Sequence, residues 1–175
     1  MIHIRPAIAS DLELLVAIDE RDEGITSSKP ARSASEVVEH RQRIRSMIDA
    51  DGARIADADG TPIGVILWLV RLLAETDPTY VFRQLDASLF PADGRFIEIF
   101  QLWVDPAYRR RGIATALKRE VEVAARARNI GLIYTHTEEI NTHVLALNAK
   151  LGYREVRRGP IWDDVVRVSL VKQLR

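Results

Sequence analysis

Residues 62–70, Pro-Ile-Gly-Val-Ile-Leu-Trp-Leu-Val, limit the possible folds more than any other stretch of the chain. In an extended backbone Ile63, Val65, Leu67 and Leu69 face one way, while Ile66, Trp68 and Val70 face the other. A strand apolar on both faces has to be covered on both, so helices must pack on each side of the sheet that contains it. Just upstream, Asp59-Gly60 is a hairpin signal that pairs this strand with Ala53–Asp57. With 175 residues, of which 47% are hydrophobic and 29% charged, the chain can bury a core without staples. A single α/β domain over residues 1–175 is expected.

The remaining elements follow from periodicity and capping. Ile2 and Ile4 alternate with polar neighbours and suit an opening strand. Ser10-Asp11-Leu12-Glu13 has capping-box spacing and predicts a helix to about Glu20, with Leu12, Leu15, Val16 and Asp19 on one face. Residues 21–34 read as a loop. Ser33-Ala34-Ser35-Glu36 repeats the box and opens a second helix, with Val37, Arg41, Ile44 and Ile48 on one stripe and Gly52 as its stop. Residues 71–95 carry no clear period, and Pro78, Pro91 and Asp93-Gly94 mark loops. Phe96–Val104 is a strand and Gly112–Asn129 a helix, with Ile113, Leu117, Val121, Ala124 and Ala125 inward. Ile130–Thr137, Asn141–Leu151, Tyr153–Gly159 and Asp164–Val171 then read as strand, helix, strand and strand. The hairpins in the middle and at the end predict a mixed sheet with helices on both faces.

Composition narrows the function. Lys plus Arg and Asp plus Glu both total 25, so the formal net charge is zero, and no nucleic-acid partner is expected. The chain has no cysteine, which excludes disulfides, thiolate catalysis and Cys-type zinc sites. His136, Glu138, Glu139 and His143 fit no zinc-ligand spacing, and no metal is expected. The opening residues lack the basic-then-apolar pattern of a signal peptide, and the longest apolar run is strand-sized. A soluble cytoplasmic protein with no membrane contact is expected, as a monomer or homodimer.

The segment Leu102-Trp103-Val104-Asp105-Pro106-Ala107-Tyr108-Arg109-Arg110-Arg111-Gly112-Ile113-Ala114-Thr115 carries the chemistry. It reads as a strand, a short turn and a helix that begins beside a glycine and three arginines. The first N–H groups of a helix have no internal partner, and the macrodipole adds partial positive charge there, so a pyrophosphate fits. Gly112 admits a phosphate close to the main chain, and the arginines can fork onto its oxygens. The plainer alternative is a surface arginine run ahead of an ordinary helix. Neither the Lys and hydroxyl pair of a P-loop nor the three-glycine Rossmann turn is present.

Arg109-x-x-Gly112-x-Ala114 resembles the Q/R-x-x-G-x-G/A pyrophosphate motif of the GNAT N-acetyltransferase superfamily, and Leu102–Arg109 matches its lead-in strand. Asn141, Ala146 and Leu151-Gly152-Tyr153 are similar to the second motif of that family. The resemblance runs from about residue 96 to 156. It implies a mostly antiparallel sheet in which two parallel strands splay apart to take acetyl-CoA as co-substrate. It also implies that the main chain of Leu102, Trp103 and Val104 pairs with the pantetheine amides. The N–H groups from Arg109 to Thr115 would wrap the pyrophosphate. Asn141 would contact the pantetheine, or else serve as a plain N-cap. Lys150 is expected to be solvated.

The implied reaction is attack of a primary amine, from a small molecule or a peptide or protein, on the thioester carbonyl. That amine must first lose a proton. Glu98 lies six residues before Val104, where some histone-acetylating relatives place their base, and it sits between Ile97 and Ile99. Such an apolar setting favours a raised pKa; the alternative is a sheet glutamate paired with an arginine. A main-chain N–H near Leu102–Val104 would hold the oxyanion. The family's usual tyrosine acid is replaced by Asn148, a cofactor contact that cannot donate a proton, with Tyr134 and His136 as possible substitutes. A coenzyme A-binding sensor or interaction module with little catalysis is the main alternative, and a nucleotide-binding protein is the rival of a different class. Acceptor specificity is expected from residues 21–34, 71–95 and 159–164, where Asp22, Glu23, Glu75, Asp77, Asp163 and Asp164 suit a cationic amine and Trp162 approaches it.

Overall fold

The computed structural model describes residues 1–22 and 31–174. Its elements are β1 (Ile2–Pro6), α1 (Leu12–Arg21), α2 (Ala34–Asp49), β2 (Ala53–Ala58), β3 (Thr61–Leu72), β4 (Arg95–Val104), α3 (Ile113–Ala127), β5 (Leu132–Glu138), α4 (Thr142–Lys150), β6 (Arg154–Gly159) and β7 (Arg167–Gln173). This is the element order expected from the sequence. The seven strands bond in the order β1-β2-β3-β4-β5-β7-β6. The β1/β2, β2/β3, β5/β7 and β6/β7 pairs are antiparallel, and β4/β5 is parallel. Among the described residues that parallel contact consists of two residue pairs, Ile97 with Ile133 and Glu98 with Tyr134. The chain forms two compact units, residues 1–69 with 100–120 and residues 70–99 with 121–175.

In the first unit the β2–β3 hairpin turns at Asp59 and Gly60, both left-handed, as an Asp-Gly turn demands. Leu12, Leu15 and Ile18 of α1 and Ile44, Met47 and Ile48 of α2 close over one face of β2 and β3, against Ile55, Val65 and Leu67. Gly64 faces the other way. A Cβ there would stand 3.0 Å from Ile113 and 3.2 Å from Leu117, so α3 begins directly on that face. β3 is thus covered on both sides, as its composition requires.

Two local expectations fail for identifiable reasons. Ser10 does not cap α1; a 3-10 turn at Ala9–Asp11 comes first, and the Asp11 carboxylate accepts the Ile8 N–H at 2.8 Å. Arg5 fixes that carboxylate at 2.8 Å and holds it below the usual range, and a neutral hydroxyl cannot compete with such a pair. The Ser33–Glu36 box of α2 does form. Its inner face, however, is His40, Ile44, Met47 and Ile48, while Val37 is 44% exposed. His40 Nε2 lies 2.6 Å from Asp19 of α1, and this buried pair rotates the helix onto that face. Gly52 ends α2 as expected, and a Cβ at that position would lie 2.4 Å from the Trp68 carbonyl.

In the second unit, residues 71–95 form three 3-10 turns rather than open loops. Val81, Phe82 and Leu85 are buried there against Phe96, Leu132, Tyr134 and Val171. Phe82 meets Phe96 and Tyr134 edge-on, each at 4.9 Å between centroids. The last strand starts at Arg167, later than the expected Asp164, because Asp163 folds the preceding loop by accepting the Val165 N–H and pairing with Arg167. The five inward residues of α3 are all buried. Phe82→Ala should cost about 3–5 kcal/mol in urea unfolding. A cost under about 0.5 kcal/mol, typical of surface sites, would show that this segment is not core.

Candidate functional site

The turn between β4 and α3 is braced by its own side chains. Asp105 donates its N–H to the Ile63 carbonyl at 2.9 Å, and its carboxylate accepts the Ala107 N–H at 2.8 Å. Arg109 Nε donates to the Val104 carbonyl at 3.1 Å. Arg111 donates to the Ala107 carbonyl at 3.4 Å and lies over the Tyr108 ring. Two of the three arginines expected to fork onto an anion are therefore engaged in shaping the turn, and Arg110 is exposed. Arg110 and Gly112 both adopt left-handed backbones, with φ of 61° and 81°. Gly112 has open space where a Cβ would point. The first bond within α3 runs from Ala116 N–H to the Gly112 carbonyl, so the N–H groups of Ile113, Ala114 and Thr115 precede it. Left-handed turns leading into a helix start make a main-chain anion cradle. Leu102, Trp103 and Val104 lead into it half-buried.

Glu98 sits on β4 with its carboxylate almost wholly buried, and Arg71 Nε donates to its Oε2 at 2.7 Å. Of the two sequence readings of this residue, the pairing with an arginine is the one the structure displays. Its parallel neighbour on β5 is Tyr134. The Tyr134 hydroxyl lies 2.9 Å from Ser169 Oγ and 3.3 Å from His136 Nδ1. Burial holds that hydroxyl well above its usual range, so it keeps its proton. Desolvation, helped by the Arg167 charge, pushes the half-buried His136 down to about 4. His136 also meets Trp162, which is 58% exposed and lies under Arg167 at 4.0 Å.

On α4, Asn141 occupies the N-cap position but its side chain makes no capping bond, so the plain N-cap reading fails for that side chain. Its carbonyl instead accepts from Val144 and Leu145. Asn148 is 1% exposed, and neither its Oδ1 nor its Nδ2 has a hydrogen-bond partner among the described residues. Leaving such an amide unpaired costs about 1–3 kcal/mol. Lys150 is exposed, as expected.

Three of the six acids expected to attract a cationic acceptor are occupied. Asp77 accepts from Thr79, Asp163 from Arg167 and Asp22 from Gln101. Glu23 and most of the 21–34 loop lie outside the described residues. Sequence reasoning missed Arg71 and Ser169. The one signal for Arg71 was its place as the first charge after the apolar run of β3. Among the described residues no three His, Cys, Asp or Glu converge to hold a metal.

Residues 19–153 match the model of the acetyltransferase (GNAT) family. No curated protein matches the chain by sequence. Among solved structures it resembles Arabidopsis thaliana NAA60 in complex with acetyl-CoA, at 24% identity, TM-score 0.71, and coverage of 99% of this chain and 100% of that one. It also resembles mosquito arylalkylamine N-acetyltransferase like 5b (18% identity, TM-score 0.74, 99% and 100% covered). A third likeness is the ribosomal-protein-alanine N-acetyltransferase of Brucella melitensis (20% identity, TM-score 0.69, 98% and 99% covered). At these identities they share the fold.

His136 also yields a stability test. Neutral in the folded chain down to about pH 4, it titrates near 6.5 once unfolded, so between those values only the unfolded state binds the proton. Stability should be indifferent to this group above pH ~6.5 and should fall as pH drops towards 4, by up to about 1.4 kcal/mol per pH unit. Urea titrations across that window should show the slope, and His136→Gln should flatten it.

Proposed function

The chain belongs to the acetyltransferase (GNAT) family, and we propose that it is an acetyl-CoA-dependent N-acetyltransferase acting on a primary amine of a small molecule, peptide or protein. The observation that carries this reading is the main-chain cradle at the start of α3, where Arg110 and Gly112 turn left-handed ahead of three N–H groups that precede the first helical bond. Because its donors are backbone, the cradle suits a pyrophosphate without needing the arginine side chains. In this reading Leu102, Trp103 and Val104 offer main-chain groups to the pantetheine amides, and Asn141 keeps a side-chain amide uncommitted to capping. The buried amide of Asn148 is a group that would gain from a polar partner.

Acetyl-CoA supplies an activated thioester. The chain's own residues do the rest. Glu98 takes a proton from the ammonium, directly or through a water, and a main-chain N–H near Leu102–Val104 polarises the acyl oxygen. Asn148 has no proton to give, so it can hold the sulfur by a hydrogen bond but cannot act as an acid. Tyr134, kept protonated by burial and paired in register with Glu98, is the acid closest to the base along the sheet. The Arg71–Glu98 pair and the missing tyrosine favour, as a second reading, a coenzyme A-binding sensor with little turnover.

Free-thiol release across a panel of amines, with cofactor binding measured by calorimetry, tests the reading. Glu98→Gln should lower acceptor-dependent release about 10²–10⁴-fold while leaving coenzyme A affinity within a few fold. Tight binding with no acceptor-dependent release would favour the sensor, and no binding at all would overturn the proposal. Asn148→Leu separates folding from binding. It should raise unfolding free energy by about 1–3 kcal/mol, since it removes a buried unpaired amide, and weaken coenzyme A by about tenfold or more.

A further inference from the structure

Trp162 is an exposed aromatic side chain on a loop that is held still. It lies between β6 and β7, and 58% of it is open to solvent. Arg157 engages all three guanidinium nitrogens at the start of that loop: Nε donates to Gln84, Nη1 to the Gly159 carbonyl at 3.2 Å and Nη2 to the Pro160 carbonyl at 2.7 Å. At the far end Asp163 pairs with Arg167 and accepts the Val165 N–H at 3.0 Å. The Glu139 N–H, from the end of β5, donates to the Val166 carbonyl at 3.0 Å. An indole on a free loop would lose much of its stacking energy to ordering, whereas a pinned one has little freedom left to lose.

The polar edge of the ring already has a use. Arg167, and after it the Trp162 side chain, hold the Asp163 carboxyl below its usual range, so the single donor of the indole serves its own loop. One face is taken as well: the buried Arg167 guanidinium stands over the ring at 4.0 Å. The half-buried imidazole of His136 meets the ring at 5.3 Å between centroids, inclined at 66°. What stays open is apolar π surface. A ring with a guanidinium on one face has less negative potential to offer a second cation, while a neutral aromatic ring still stacks on it.

Sheet register relates this surface to Glu98. Glu98 and Tyr134 are parallel partners, and His136 is two residues further along β5, so the three side chains share one face. Strand spacing of about 4.8 Å and a rise of about 6.6 Å over two residues put the His136 Cα about 8 Å from that of Glu98. Trp162 lies against the His136 ring and hence on the same face. An aromatic ring joined to its amine by about two to four carbons covers a span of that order. We propose that the acceptor is a primary amine bearing a neutral aromatic ring, which stacks on Trp162 while the amine is directed to Glu98. Trp162 is then the residue that sets acceptor specificity. The assignment rests on the N-acetyltransferase reading with Glu98 as the base.

The test uses the whole chain, acetyl-CoA and matched primary amines of equal spacer length that end in a phenyl ring, a cyclohexyl ring or a second ammonium. Short peptides beginning with phenylalanine or cyclohexylalanine form a parallel set, which tells whether the ring belongs to a free amine or to a peptide. Wild type should show kcat/KM about 3- to 10-fold higher for phenyl than for cyclohexyl in the set that fits, the scale of an aromatic pair beyond its buried area. The second ammonium should bring no gain over cyclohexyl. Trp162→Leu, which keeps an apolar side chain without the ring, should collapse the phenyl preference towards one. Trp162→Phe should keep it, and covers the case in which the leucine variant does not fold. A residue that only braces the loop would slow every acceptor alike in Trp162→Leu and leave the ratio standing, which overturns the proposal. Calorimetry on protein saturated with coenzyme A gives a readout independent of turnover: the phenyl amine should bind more tightly than the cyclohexyl amine, and Trp162→Leu should remove the difference. Equal turnover of phenyl and cyclohexyl compounds in both sets, or faster turnover of the diamine, overturns the acceptor assignment and leaves the enzyme reading standing. Loss of all turnover with coenzyme A still bound would defeat the enzyme reading instead. The absence of a calorimetric preference for the phenyl ring overturns the proposal in either case.

Discussion

Ile63, Val65 and Leu67 on one side of β3, and Ile66 and Trp68 on the other, are all essentially removed from solvent. At about 1.5–3 kcal/mol for each large apolar side chain, this double burial is a dominant local contribution to stability, and it requires a layer on each face. The layers can approach only where side chains are absent. Gly64 lets α3 begin directly on the strand, and Gly52 lets the chain pass the Trp68 carbonyl. The first of these contacts has a functional consequence. It fixes Ile113 and Leu117 against β3, and with them the start of the helix whose leading N–H groups form the proposed anion cradle. Core packing and site geometry are set by the same glycine.

The proposed cradle rests on geometry more than on side-chain charge. Arg109 and Arg111 donate to carbonyls of their own turn, at Val104 and Ala107, and Arg111 stacks on Tyr108. They hold a turn in which Arg110 accepts a left-handed backbone that a non-glycine residue adopts only when its surroundings insist. An arginine-rich turn can therefore bind an anion chiefly through its main chain, with the guanidinium groups contributing field and rigidity.

Periodicity made most of the fold legible, because the helices and strands whose inner faces are continuous announce themselves: β3, β4 and α3 appear nearly as expected. What stayed hidden depends on side-chain pairs that no periodicity announces. The face of α2 turns on His40 meeting Asp19, and the start of α1 turns on Asp11 meeting Arg5. Residues 71–95 looked like loops because Val81, Phe82 and Leu85 follow no helical or strand period, yet they plug the core in 3-10 turns. At the candidate site, the motif residues are a matter of local spacing. The partner of Glu98 could not, since Arg71 reaches it from 27 positions away on the neighbouring strand.

The side chains around the proposed reaction do not constrain it equally. A primary amine with a pKa near ~10 must surrender a proton before it can attack, so the absence of a competent base would stop the reaction. The leaving group is a thiolate whose parent thiol has a pKa near ~8.5, and it departs without full protonation. The nitrogen, moreover, still carries a second proton to release. Replacing the usual acid by Asn148 therefore costs less than occupying the base would. In the proposed mechanism the availability of Glu98 limits the chemistry, and the Arg71 guanidinium bonded to it is one group that bears on that availability.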